Sequence, residues 1–194
     1  MARIGYKKGK YNKMDAETKK YVALVDGKVP CLEKVIDEKF APEYNSAELY
    51  ADDGLAETDY SFKKGSLTIT VANDDDEKDA FLMGNTIEDG EVTKKIEDTA
   101  PEVGYGHIVT KMVNGVRKYK VEFFPRVKFT KITTDAKTRG ESVEFGTTAV
   151  EAVVYPLQAE FNGMTAGTWE KHQTFNTEAE AEAYLDACLT PSVS

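Results

Sequence analysis

The sequence is short of the residues on which compact chemical sites are built. Its 194 residues hold two histidines, two cysteines and one tryptophan. His107 and His172 stand far apart, and neither has a second His or a Cys at metal-ligand spacing. There is no Walker-type loop and no nucleophile elbow, and Gly104-Tyr105-Gly106 is too short for a dinucleotide fingerprint. Cys31 and Cys188 lie among apolar or small neighbours without CxxC spacing, which points to two buried reduced thiols rather than a disulfide. No enzyme, cofactor or metal is expected on these grounds.

Long apolar runs are missing too. Nothing approaches the roughly 20 apolar residues that a helix needs to span a bilayer. The opening MARIGYKKGKYNKM has charge but no apolar centre, unlike a secretory signal. No membrane anchor is expected. Basic residues are in deficit, with 25 Lys and Arg against 34 Asp and Glu, for a net charge of −9. A grip on nucleic acid needs Lys and Arg to displace counterions from phosphate, so a nucleic-acid binder is disfavoured. The charge suits a surface that DNA slides past, and equally a plain acidic domain kept dispersed by its charge. Apolar residues make up 41%. A core must then be thin, as in a sandwich, or completed by neighbouring subunits.

What is present is mostly strand pattern. Residues 1–20 are polar and rich in Lys, and read as an arm that pairs elsewhere or as a frayed terminus. Ordered structure is expected from Tyr21, in one domain over residues 21–190. Leu32 to Phe40 is open between strand and short helix, and Pro42 stops any helix there. Ser66 to Val71 alternates, with Leu67, Ile69 and Val71 on one face. Asn73 can then cap a short helix whose acidic start favours the positive end of the dipole, with Gly84 ending it in the left-handed conformation. The acidic triple Asp74-Asp75-Asp76 also invites a calcium reading. An EF-hand loop from Asp74 would need Gly and Glu where Asp79 and Asn85 stand, so the helix start is preferred.

Asn114-Gly115 is the strongest hairpin signal, because a type I′ turn needs positive φ at both central residues. His107 to Val113 leads into it. Tyr119, Val121 and Phe123, then Val127 and Phe129, follow in alternation, with Pro125 bending the strand or marking an edge. Further strands are predicted at Glu141 to Phe145 and Val150 to Leu157, with a turn at Phe161-Asn162-Gly163-Met164. Thr177 and Glu180 have capping-box spacing, and Ala181, Tyr184, Leu185 and Cys188 share one face of a C-terminal helix. Trp169 and Tyr184 are the expected packing anchors.

In order along the chain, LYADD at Leu49 to Asp53, Ala56-Glu57, Gly65-Ser-Leu-Thr-Ile and Phe81-Leu82-Met83-Gly84 resemble the pattern of major tail proteins of long, flexible-tailed bacteriophages. PEVGYG at Pro101 to Gly106, the Tyr119 to Phe129 strands, Thr138 to Thr147, and Trp169 with the Glu-Ala-rich helix are similar as well. The likeness runs from about residue 20 to residue 188, with no clear counterpart for the first 15 residues. It implies a mainly β fold with flanking α: a β-sandwich or partial barrel of the tail-tube type, with a short mid-chain helix and a C-terminal helix. It implies hexameric rings stacked into the tail tube of the virion, assembled in the host cytoplasm. Its partners would be further copies of itself, the tape measure, terminator and distal tail proteins, and DNA in passage without specific binding. The stretch from Tyr44 to Tyr60 is long for an ordinary connection. It is expected to be a loop that docks on a neighbouring subunit or ring, with Tyr50, Leu55 and Tyr60 as apolar anchors beside Asp52, Asp53 and Glu57. A lumen of net negative potential is also expected, with Lys118, Lys120 and Lys128 facing away from it or paired with acids. The alternatives are a tube or terminator ring protein of another phage-tail-like machine, and a stand-alone β-sandwich binding module using Trp169 and exposed tyrosines on a glycan.

Overall fold

The computed structural model describes residues 2–32, 34–51, 54–72, 75–134 and 146–192. The predicted strand at Glu141 to Phe145, the cap at Asn73, and Asp52, Asp53 and Asp74 lie outside them. In chain order the strands are β1 (Ala2–Asp15), β2 (Lys20–Tyr21), β3 (Cys31–Leu32), β4 (Val35–Ala51) and β5 (Gly54–Val71). Helix α1 (Asp76–Met83) follows, then β6 (Thr86–Glu88), β7 (Glu91–Thr93), β8 (Glu102–Val113), β9 (Val116–Thr134), β10 (Thr148–Val154), β11 (Lys171–Phe175) and helix α2 (Glu178–Leu189). The architecture is mainly β with two flanking α-helices.

The main sheet runs β2-β1-β8-β9-β10-β5-β4, with β11 added on β9 and β3 on β1. Because β3 leads directly into β4, its pairing of Leu32 with Gly9 and Cys31 with Lys10 brings the far edge back to the first wall. The sheet thus rolls into a barrel. Inside it pack Leu67, Ile69, Val103, Tyr105, Phe124 and Val127, and Leu82 of α1 joins them. A second core lies outside the barrel wall, where α2 sets Ala181, Leu185 and Leu189 against Ile108, Val121 and Phe123.

The wall between the two cores is the β8–β9 hairpin. Its turn is the expected one, with φ of 50° at Asn114 and 78° at Gly115. Gly104 and Gly106 face the outer core because nothing larger fits. A Cβ on Gly106 would lie 2.6 Å from Leu185, and one on Gly104 2.5 Å from the Tyr21 hydroxyl. Pro125 does not end the strand. Val103 pairs with Val127 and Tyr105 with Phe124, so Pro125 and Arg126 form a bulge opposite Gly104. The Tyr21 hydroxyl donates to the Pro125 carbonyl at 2.8 Å. The bulge also reverses the strand's facing. Val121 and Phe123 lie in the outer core, whereas Val127 and Phe129 lie inside the barrel, so the alternation does not continue unbroken as expected.

Several other expectations meet their structure here. Leu67, Ile69 and Val71 are buried on one face of β5. In the segment open between strand and helix, Leu32 is strand in β3 and Val35 to Phe40 strand in β4. Helix α1 is capped by Asp75, whose side chain accepts from the Lys78 amide, and Gly84 ends it at φ 73°. The acidic run there is a helix start, as preferred. The Thr177–Glu180 capping box is formed in both directions. Phe161 and Met164 bridge across Asn162 and Gly163, both at positive φ. The two cysteines are thiols, half-buried rather than buried.

The N-terminal segment is the main correction. Residues 1–20 are not an arm, and ordered structure does not begin at Tyr21. β1 pairs along β8 from Ala2 to Lys13 and is a wall of the barrel. The lysines that made it look exposed have a partner far away in sequence. Lys7 reaches Glu178 at 2.6 Å, Lys8 bonds Glu182, and Lys10 reaches Glu182 at 3.0 Å and Asp186 at 2.6 Å. Glu178, Glu182 and Asp186 recur every four residues and so form one stripe of α2. A bulge with Lys8 at φ 51° lets neighbouring lysines reach the same helix.

Hydrogen bonding from Lys8 holds the Glu182 carboxyl below its ordinary value; burial opposes this, and a hydrogen bond from Lys10 adds to it. A depressed carboxyl contributes stability above its unfolded pKa and loses it as pH falls through the folded one. Acidification below the ordinary carboxylate range is therefore expected to loosen α2 first. Amide exchange of α2, compared with β8 at about pH 3 and about pH 7, measures this; equal loss of protection in both elements would contradict it.

Candidate functional site

The stretch expected to be a docking loop is a β-hairpin arm. β4 and β5 pair from Val35–Val71 at the base to Ala51–Gly54, with register shifts between Val35 and Asp37, Glu43 and Tyr44, and Leu49 and Tyr50. β10 covers β5 only between Gly65 and Val71. Beyond the Pro42–Gly65 pair, no third strand is paired with either side of the arm among the described residues. Residues 43–51, at about 3.3 Å each, give the arm a reach of roughly 30 Å. Two strands alone are marginal in water, and a flat unpaired edge is a template for another strand.

This places the expected interface residues on strands rather than in an irregular loop. Tyr50 pairs with Leu55 next to the tip, Glu57 pairs with Leu49, and Tyr60 pairs with Ser46. Tyr44 and Tyr60 are 53% and 66% exposed, and the Tyr44 ring meets the edge of Phe62 at 6.1 Å. Asp52 and Asp53 lie outside the described residues.

The arm's base is fastened by aromatic stacking. Trp169 lies on Phe62 with centroids 4.1 Å apart and rings within 10° of parallel. Phe40 continues the stack from Trp169 at 6.0 Å to Phe124 in the barrel at 4.7 Å. Gly65 makes room, since a Cβ there would lie 2.3 Å from the Phe40 ring. Trp169 is thus partly buried at the arm's root, packed against the barrel core. Tyr184, the other expected anchor, is half-buried beside the outer core and tilts on Phe175 at 5.2 Å.

Next to this base lies a feature that was not anticipated. The barrel closes through β3, but beyond it β1 and β4 diverge, leaving a cleft of about 300 Å³ between Ile4–Tyr6 and Ile36–Phe40. Its floor is polar. Nδ1 of His107 stands 3.0 Å from Oε1 of Glu38, and Nε2 stands 3.3 Å from Oε2 of Glu122. The Tyr105 hydroxyl donates to Glu38 at 2.7 Å and lies 2.5 Å from the Tyr6 hydroxyl. Lys120 donates to Glu122 at 2.6 Å. The Tyr6 ring stacks over the imidazole at 5.0 Å. The His107 side chain is only 3% exposed.

The two carboxylates differ by environment. Burial pushes Glu38 above its ordinary value, more than His107 and the tyrosine hydroxyls offset. Burial also opposes ionisation of Glu122, but hydrogen bonds from His107 and Lys120 together outweigh it and hold the group well below the carboxylate range. Both tyrosine hydroxyls are raised, first by burial, so they serve as donors. The cluster is not a metal centre, because the imidazole nitrogens face opposite carboxylates. Among the described residues, no group of three or more His, Cys, Asp or Glu is placed to hold a metal ion.

The lysines expected to avoid a lumen are engaged or set in register with acids. Lys118 bonds Asn176, Lys120 bonds Glu122, and Lys128 pairs across strands with Glu102. Among the described residues no helix is long and apolar enough to cross a membrane. No family model matches the chain, and no curated protein matches it.

Tyr105 joins Tyr6 of β1 to Glu38 of β4 through one hydroxyl. Tyr105→Phe removes the donor and leaves both partners short of a bond in a buried place. The expected loss is about 1–3 kcal/mol in urea unfolding; an unchanged midpoint would mean the relay carries no load.

Proposed function

We propose that this chain is a tail-tube protomer: a structural subunit that polymerises as stacked rings, six to a ring, into the tail tube of a bacteriophage virion. The observation that carries the reading is the arm, a long two-stranded hairpin with neither edge paired among the described residues, projecting from a barrel that otherwise closes on itself. A monomer would gain nothing from such an element, and its edges invite pairing with other copies. A contact between an arm on one copy and a different surface on the next is head-to-tail, which generates rings or filaments. The ordered resemblance from Leu49 to the Glu-Ala-rich helix names the kind of filament.

The net charge of −9 suits a conduit from which DNA must leave, since a basic wall would hold it. In this reading the protein acts through its surfaces and not by catalysis. Its partners are its own copies and the tail proteins at either end and within the tube, with DNA in transit.

Electron microscopy of the purified protein should show rings or tubes; a chain that stays monomeric at high concentration would sink the reading. The arm's part is tested separately by replacing residues 46–60 with Asn-Gly, which closes the hairpin on the Asn45–Ser61 pair. The shortened chain should keep its cooperative unfolding, because the barrel is untouched, and should form no tubes. Normal tubes from it would remove the arm from the assembly contact while leaving the tube itself standing.

A further inference from the structure

The seam between β1 and β4 is spanned by side chains, and the floor of its cleft poses a problem in hydrogen counting. Glu122 receives Lys120 on one oxygen and faces Nε2 of His107 with the other. A carboxylate held in its ionised form accepts only, so Nε2 is the imidazole nitrogen that carries a hydrogen. In a neutral imidazole Nδ1 is then an acceptor. It lies 3.0 Å from Oε1 of Glu38, and a carboxylate oxygen is also an acceptor. The contact is short, yet Nδ1 has no aligned hydrogen-bond partner. Two buried acceptors at that distance repel unless a hydrogen stands between them.

We infer that Glu38 and His107 hold one exchangeable proton between them, and that this proton is a latch closing the seam at the base of the arm. With the proton in place, on either residue, β4 is joined to β8 through the Glu38–His107 contact and the Tyr105 hydroxyl. Without it, a buried carboxylate faces a lone pair, and β4 is pushed from β8. A divalent ion in place of the proton would need more ligands than converge here.

The other groups facing the pair act in both directions. From β1, Tyr6 covers the imidazole, and from β8 Tyr105 donates to Glu38; both hydroxyls keep their hydrogens and favour the ionised carboxylate, while the charge of Glu122 on β9 favours retention of the proton. On β9, Lys120 is committed to Glu122 and so does not replace the proton. On β4, Asp37 lines the rim of the cleft, and on β3 Cys31 stands near Tyr6; ionisation of either would add negative charge. Burial of Glu38 favours retention as well. Because its folded value is raised, the closed seam binds the proton more tightly than an open one. Closure is favoured below that value and lost as pH rises through it. The latch does not depend on whether the chain polymerises.

The test is amide exchange of the full chain, corrected for intrinsic rates, between about pH 5 and about pH 8, where each pH unit beyond a linked pKa changes an equilibrium up to tenfold. Protection of residues 35–40 should fall by about tenfold or more as pH rises, while the β8–β9 wall is unchanged. Glu38→Gln places an NH₂ donor opposite Nδ1 and keeps a carbonyl for Tyr105, so its protection should be flat with pH. Flat protection in the unmodified chain, or a pH dependence that survives in E38Q, overturns the latch. Imidazole ¹⁵N shifts of His107, read in the exposed-site variant His172→Gln, give an independent measure. They should change together with the seam amides, and shifts that stay constant while the seam opens also overturn it.

Discussion

The β8–β9 hairpin is the constraint on which the rest of the structure depends, because it is buried on both faces. One face closes the barrel with Val103, Tyr105 and Phe124; the other carries α2 on Ile108, Val121 and Phe123. A strand pair with two dry faces cannot slip, since a one-residue shift would turn each core residue into the opposite core. The Asn114-Gly115 turn sets the register, and the Pro125–Arg126 bulge lets one strand serve both cores in sequence. Gly104 and Gly106 are what this double burial demands of the wall, thin places where Tyr21 and Leu185 come close to the backbone.

The two ends of the chain then stabilise each other. β1 and α2 are separated by nearly the whole sequence and meet through a ladder of lysines against one acidic stripe of the helix. Surface pairs are individually weak. This set is arranged as a network around Lys10, which is almost fully covered. The chain's charge is consequently less free than its composition implies. Basic residues of the first strand are spent on α2.

Local signals in the sequence were legible where the determinant was local. The I′ turn, the Thr177 capping box, the left-handed Gly84 and the buried stripe of β5 all follow from a few neighbouring residues. The N-terminal strand was not, because its lysines looked like a solvated arm until α2 supplied partners more than 170 residues away. The arm was mistaken for a loop because it lacks an apolar period, and a hairpin outside the core needs none. The polar floor was partly within reach. His107 lies as many residues before Val113 as Glu122 lies after Val116, so the turn alone sets them opposite one another. Glu38 was out of reach, since it arrives only when the sheet rolls.

Barrel closure within one chain decides where assembly can act. Once β3 returns to β1, the strands of the barrel are largely consumed in intramolecular pairing, and the long edges unpaired among the described residues lie on the arm. β4 is the strand that links these roles. Its lower half is the barrel's last wall, its upper half is one side of the arm, and Glu38 sits on the lower half facing the floor of the seam. Trp169 and Phe40 stiffen the junction by stacking, so a displacement of the lower half from β8 would not be absorbed at the root and would be carried along the arm. With a reach of about 30 Å, the arm would turn a small change at its base into a larger one toward its tip. If copies meet through the arm, as proposed, the buried acid–imidazole pair at its base would give a local proton contact leverage over that surface.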